Sequence, residues 1–248
     1  MNKTVLITGA SRGIGAACAL LAAERGYRVC VNYRSDAEAA EEVVAIIVAA
    51  GGSAFALQAD VSIEAEVVAM FERIDARYGY LDALVNNAGI LDRQMRVEQM
   101  DAARINRILA TNVTGPFLCA REAVRRMSTR HGGRGGAIVN LSSRAAVLGS
   151  SGEYVDYAAS KAALDVLTLG LSKEVGLEGI RVNGVRPGLI ETGMHASGGE
   201  PGRVRRLQSS VPMGRGGQAA EVAQAVLWLL SDDASYTTGS FIDVSGGR

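Results

Sequence analysis

Seven short apolar runs recur along the chain, near residues 3–8, 28–33, 53–59, 81–86, 137–142, 180–186 and 240–244, each the length of a buried strand. Between them, apolar residues return every three or four positions: Ile14, Cys18 and Leu21 in one segment, Val67, Met70, Phe71 and Ile74 in another. Apolar strands alternating with amphipathic helices specify βα units, because a parallel strand needs a crossover to return and is covered on both faces by such crossovers. The expected fold is therefore α/β, a doubly wound, seven-stranded parallel sheet with helices on both faces. Further helices are expected over 37–50, 101–128, 155–176 and 219–230. No Pro/Ser-rich linker or internal repeat divides this rhythm. Residues 1–248 thus read as a single domain, and 48% hydrophobic residues supply its core. Ligands of such sheets gather at the carboxyl ends of the strands.

Charge narrows the function. Lys and Arg number 26, as do Asp and Glu, which leaves no net field to draw the chain to nucleic acid or to an anionic membrane. The longest apolar stretches, such as 43–50, fall far short of the roughly 20 residues of a membrane span. Met1-Asn2-Lys3 leads straight into a strand without the apolar core of an export signal. Cys18, Cys30 and Cys119 lie at no pairing or metal-ligand spacing. They read as small core residues of a protein in a reducing, cytoplasmic compartment. The two histidines, His131 and His195, sit in no metal or triad pattern.

Three groups of residues carry chemistry. Thr8-Gly9-Ala10-Ser11-Arg12-Gly13-Ile14-Gly15 joins the first strand to the first helix. Glycines there let the backbone turn tightly and bring a phosphate to N–H groups at a helix N-terminus, although the same glycines would serve to pack a helix on a strand. The spacing is G-x-x-x-G-x-G, with Cys18 three residues beyond Gly15, so the G-x-G-x-x-G fingerprint is not matched. Tyr157 and Lys161 stand four apart, on one face of a helix, where an ammonium lowers a phenol's pKa toward neutrality; a surface Tyr on a Lys stem has the same spacing. At the end of the second strand, Asn32-Tyr33-Arg34 lacks the carboxylate that would hold a ribose 2′-OH, while Arg34 and Arg12 suit a 2′-phosphate. NADP is the expected cofactor, with NAD possible.

The glycine turn resembles the T-G-x-x-x-G-x-G motif of the short-chain dehydrogenase/reductase family, and the resemblance continues across nearly the whole chain. Asn86-Asn87-Ala88-Gly89 matches N-N-A-G, Tyr157-Ala158-Ala159-Ser160-Lys161 matches Y-x-x-S-K, and Asn112, Ser142-Ser143 and Arg186-Pro187-Gly188 fall at the family's places. The resemblance implies a Rossmann fold and hydride exchange between a nicotinamide and a small-molecule carbonyl or alcohol. It implies that Ser143 holds the substrate oxygen, Tyr157 transfers its proton, Lys161 binds the nicotinamide ribose, and Asn112 steadies a water behind Lys161. Gly9, Ser11, Arg12, Gly13, Ile14, Gly15, Arg34, Asp60, Val61, Asn87, Ala88, Gly89, Pro187, Gly188, Ile190 and Thr192 would line the cofactor, with Asp60-Val61 at the adenine. Asp60 would equally cap a helix beginning near Ser62. One residue more than usual separates Ser143 from Tyr157, and Ser143 is preferred to Ser142 because Val139 to Ser143 fits the motif. Tyr154 is a decoy, since Ala158 stands four residues after it.

The substrate is less legible. The segment 189–215, with four scattered glycines, has the composition of a lid. Arg203, Arg205 and Arg206 within it suit an anion, but a charge run in a lid more commonly faces solvent. Within the family, the chain looks most like glucose-dehydrogenase-like and 3-oxoacyl-carrier-protein-reductase-like members. Arg125, Arg126, Arg130 and Arg134 offer a basic patch for an acidic carrier, whereas Glu178 has the wrong sign for one. Assembly as a homotetramer or homodimer is implied by the resemblance, with Leu164, Leu167 and Leu171 fitting either an interface or a core. The reading from another class is an NADP-binding sensor or scaffold without turnover.

Overall fold

In the computed structural model, which describes residues 3–248, seven parallel strands form one sheet in the order β3-β2-β1-β4-β5-β6-β7. They are β1 (Thr4–Ile7), β2 (Arg28–Tyr33), β3 (Ser53–Gln58), β4 (Ala83–Asn86), β5 (Gly136–Leu141), β6 (Ile180–Pro187) and β7 (Phe241–Val244). The helices are α1 (Gly13–Glu24), α2 (Ala37–Ala49), α3 (Glu64–Tyr78), α4 (Ala102–Leu109), α5 (Gly115–Met127), α6 (Ala145–Leu148), α7 (Val155–Val175), α8 (Met194–Ser197), α9 (Arg203–Leu207) and α10 (Ala219–Leu230). Every expected strand is present, with ends shifted by a residue or two. This is the doubly wound Rossmann arrangement.

Side-chain alternation explains why both faces of the sheet are dry. Val5 and Ile7 of β1, Val29 and Val31 of β2, and Ala137, Val139 and Leu141 of β5 point into one core, which also takes Cys18, Ala19 and Ala22 from α1. Leu6, Cys30 and Ile138, the residues between, point into the other core with Val67, Met70, Phe71 and Ile74 of α3. The α3 stripe is as the spacing requires. On α1 the buried line is Gly15, Cys18, Ala19 and Ala22, while Ile14 and Leu21 are only partly buried; small residues let this helix lie close to its neighbours. All three cysteines are free and buried. Burial pushes the Cys18 and Cys119 thiols up to about 12 and the Cys30 thiol still higher.

Helix starts follow side-chain chemistry. Asp36 and Asp101 each accept a backbone N–H three residues on, at 3.2 and 2.7 Å, and so cap α2 and α4. Gln218 and Glu221 form a capping box on α10. The expected continuous helix over 101–128 is instead broken: Ala110–Thr114 forms a π-helical turn between α4 and α5. Pro116 lacks the N–H that an unbroken helix would use, and a π-turn absorbs the mismatch. Leu164 and Leu167 are buried within the chain, and Leu171 is partly buried against the α3 side. On α5 and α7 the apolar side chains that face outward are Phe117, Val166 and Leu169.

Because β3 lies at one edge while β4 lies beside β1, the winding reverses between β1 and β4. The loops after those two strands diverge there and open a crevice at the carboxyl end of the sheet.

Candidate active site

The crevice is built around the turn after β1. Gly9 and Gly13 have φ of +61° and +58°, and a Cβ on Gly15 would lie 2.4 Å from the Gly9 carbonyl oxygen. Only glycine fits this path. Thr8 Oγ1 accepts the N–H groups of Asn87 and Ala88, each at 3.0 Å, while Asn87 Nδ2 donates to the Thr8 and Gly9 carbonyls at 2.8 and 3.0 Å. The N-N-A-G segment thereby buttresses the glycine turn. Sequence reasoning missed a third support. Asn32, a buried amide in apolar β2, accepts the Gly9 N–H at 3.1 Å and donates to the Leu57 and Ala59 carbonyls. A polar residue inside an otherwise apolar strand is the signal that marks it.

At the end of β2, Arg12 and Arg34 stand 3.9 and 4.0 Å from Asp36 and Asp60, at the limit of ion pairing, and both guanidiniums are mostly exposed. Asp60 does not cap a helix starting at Ser62. It accepts the Ser62 N–H and hydroxyl in a turn, and α3 begins at Glu64. The Val61 side chain is buried in the core. Gly13 approaches Thr192, which stands 3.5 Å from a Cβ built on that glycine. Ile190 forms a single bridge to Gly217, and Gly188 donates its N–H to Val244.

A cavity of about 490 Å³ opens beside this turn and is lined by Ser143, Tyr157, Lys161, Pro187 and Gly188. Ser143 and Tyr157 both line it, and the Ser143 hydroxyl accepts the Ala145 N–H at 3.1 Å. Ser142 is turned away: its hydroxyl is buried and donates to the Lys161 carbonyl at 3.1 Å. Tyr154 is buried, with its hydroxyl donating to the Gly198 carbonyl at 3.3 Å. Lys161 Nζ donates to the Leu141 carbonyl at 2.7 Å and lies 5.7 Å from the Tyr157 ring centre. Burial pulls the Lys161 ammonium down to about 8, against the opposing pull of Asp165. Burial raises the Tyr157 phenol above its ordinary value, with the Ser143 hydroxyl and the charge of Arg203 opposing it.

Asn112 sits fully buried in the π-turn. Its Oδ1 accepts the Ile90 N–H at 2.8 Å, and its Nδ2 donates to the Ile90 carbonyl at 3.0 Å and to Ser160 Oγ at 3.1 Å. It fixes the loop after β4 to α7. Gly89 is adjacent, where a Cβ would stand 3.4 Å from Lys161 Nζ and 3.5 Å from Asn112 Oδ1. A second brace is the buried Arg104–Asp156 pair at 2.7 Å, in which Arg104 also donates to the Arg93 carbonyl. It holds α4, the loop near Arg93 and the residue before Tyr157 together.

Residues of the 189–215 segment also line the cavity, among them Ile190, Thr192, His195 and Arg203. Arg205 and Arg206 are exposed as a charge run implies, but Arg203 is 7% exposed. It pairs with Glu153 at 2.6 Å and stacks 4.8 Å over the Tyr154 ring. On the opposite surface, the basic patch is largely occupied from within. Arg125 and Arg126 pair with Glu122, Arg126 also with Asp75, Arg130 pairs with Glu178 at 3.0 Å, and Arg134 stacks on Tyr80.

Comparison with known proteins places this geometry. A family model described as enoyl-(acyl carrier protein) reductase matches residues 9–248. The chain is 66% identical over 243 residues to the uncharacterized oxidoreductase YgfF of Escherichia coli K12, covering 98% of each chain. It is 41% identical over 247 residues to the 3-oxoacyl-[acyl-carrier-protein] reductase FabG of Staphylococcus aureus, covering 100% of this chain and 98% of that one. A crystal structure of a dehydrogenase/reductase from Sinorhizobium meliloti 1021 superposes with a TM-score of 0.91 at 34% identity, covering 99% of this chain and 94% of that one.

Proposed function

Since the chain belongs to the short-chain dehydrogenase/reductase family of oxidoreductases, we propose that it interconverts a small carbonyl compound and its alcohol with NADP as the preferred cofactor. The observation that carries this reading is that Ser143 and Tyr157 line one cavity beside a buried Lys161. Two hydroxyls on one cavity suit a carbonyl oxygen: Ser143 donates to it and orients it, and Tyr157 passes it a proton or takes one back. Lys161 anchors the helix face and carries charge close to the phenol. Asn112 is a positioning residue, since it acts by clamping Ile90 and Ser160 rather than by facing the cavity.

The glycine turn fits a dinucleotide. Its backbone takes left-handed φ at Gly9 and Gly13 and leaves no room for a Cβ at Gly15, as a close approach to pyrophosphate demands. Ser11, Arg12 and Ile14 would meet the phosphates, Arg12 and Arg34 a 2′-phosphate, Asp60 and Val61 the adenine, and Asn87 to Gly89 with Pro187, Gly188, Ile190 and Thr192 the nicotinamide end. When bound, the nicotinamide supplies or accepts the hydride. The residues 189–215 act as the lid over this site.

A carrier-protein substrate has the FabG relatives in its favour. Against it stand the ion pairs that occupy Arg125, Arg126 and Arg130, with Glu178 adding negative charge to the same surface. Association through the outward-facing Phe117, Val166 and Leu169 would give a dimer or tetramer, which the mass in solution tests. The function itself is tested by following oxidation of NADPH with ketones, aldehydes, sugars and β-ketoacyl thioesters. Turnover that disappears in Tyr157→Phe is expected. Tight NADPH binding with no turnover of any carbonyl would favour a sensor instead.

A further inference from the structure

Besides Ser143, Tyr157 and Lys161, the cavity is lined by His195, Arg203, Arg248 and the carboxylate Glu153. These groups are not fully paired. Arg203 gives one nitrogen, Nη2, to Glu153 at 2.6 Å, but its Nη1 is buried without a hydrogen-bond partner, 3.6 Å from the nearest Glu200 oxygen. Glu153 is shared, its other oxygen pairing with Arg206 at 2.9 Å, and Glu200 is likewise drawn to Arg206 and Gln94. Arg248 has no ion pair among the described residues. Its backbone oxygen accepts from Arg144 at 2.7 Å, which fixes the residue at the rim, and Arg144 itself pairs with Asp243. Arg203 and Arg248 thus line the cavity with one side-chain carboxylate, Glu153, which Arg206 also engages.

The surplus is felt inside the cavity. Burial and then the charge of Arg203 lower both the Arg248 guanidinium and the His195 imidazole. His195 donates from Nε2 to the Ile190 carbonyl at 3.0 Å, so its neutral form offers no compensating charge. A neutral substrate would leave two guanidiniums in a closing cavity with one counterion too few, whereas a carboxylate restores balance and matches a guanidinium's planar donors.

We infer that the substrate is an oxo acid or its hydroxy acid, whose carboxylate is recognised by Arg248 within the field of Arg203, in the cavity that Ser143 and Tyr157 also line. This inference rests on the carbonyl-reductase reading above and narrows it to one substrate class.

The test compares oxo acids of increasing length with their methyl esters, which lack the charge and add one methyl group, and with a keto phosphate of matched length. Wild type is expected to favour the oxo acid over its ester in kcat/KM by about tenfold or more, the worth of one charged hydrogen bond. Arg248→Gln should lower that ratio by a similar factor through KM of the acid, and Arg203→Met should do the same. Exposed Arg205→Gln should leave the ratio alone. Because Arg203 also ties down Glu153 and Tyr154, the Arg248 variant decides the matter if Arg203→Met does not fold. Equal use of acid and ester by wild type, or a ratio unmoved in Arg248→Gln, overturns the inference while leaving the oxidoreductase reading intact. Preference for the keto phosphate overturns the carboxylate. Absence of Tyr157-dependent turnover with every carbonyl removes the oxidoreductase reading and this inference with it.

Discussion

Replacing Lys161 by Met should make the protein more stable at neutral pH and leave it no more stable in alkali. The amine is 3% exposed, donates to the Leu141 carbonyl, and has its pKa pulled by burial to about 8. Unfolded, it titrates near 10.4. Between those values the unfolded chain binds a proton that the folded chain has released, so stability rises with pH through that window. Below the folded value both states are protonated, and burying the ammonium costs about 3 kcal/mol; at pH ~10 the cost has fallen to about 1 kcal/mol. The Met variant also forfeits the hydrogen bond to Leu141, about 1 kcal/mol. Its net advantage is therefore about 2 kcal/mol at neutral pH and near zero at pH ~10. Urea unfolding of both proteins across this range measures the difference directly. Thiol and phenol titrations, common to both, cancel in the subtraction. A difference that stays constant with pH, or a variant less stable at neutral pH, would refute the reasoning.

Three further changes probe the frame of the site. Arg104→Met leaves Asp156 buried without its counterion and should cost about 3–5 kcal/mol in unfolding free energy; adding Asp156→Leu should recover most of that, and a double variant no better than the single would contradict it. Gly15→Ala sets a methyl 2.4 Å from the Gly9 oxygen and 2.5 Å from Asn87 Nδ2. It should cost about 1–3 kcal/mol and abolish NADPH binding seen by fluorescence; unaltered binding would show that the turn tolerates a Cβ. Arg34→Asp should swing preference toward NADH, and unchanged NADPH affinity would speak against a 2′-phosphate contact.

Local features were the ones readable from sequence. Each strand declared itself by an apolar run, since strands buried on both faces carry little else, and Tyr157, Lys161 and the glycines lie within single motifs. What escaped depends on residues far apart in the chain. Arg203 reads as one of three solvated lid arginines because its partners, Glu153 and Tyr154, lie some fifty positions earlier. Asn32 reads as a polar interruption in β2 until Gly9, Leu57 and Ala59 surround it. The break at Ala110–Thr114 was half legible: Gly115-Pro116 interrupts the helical pattern, but a π-turn hinges on the fit of Asn112 to Ile90.

The sealed thiols have a practical use. Alkylating reagents attack thiolates, and Cys18, Cys30 and Cys119 are buried with their ionisation suppressed. A single cysteine introduced at exposed Arg205 would therefore be the one position in the folded protein open to a maleimide dye. Labelled there, close in sequence to the buried Arg203 that lines the cavity, the protein would show whether the 189–215 segment moves when ligands bind, with no native cysteine to be removed first.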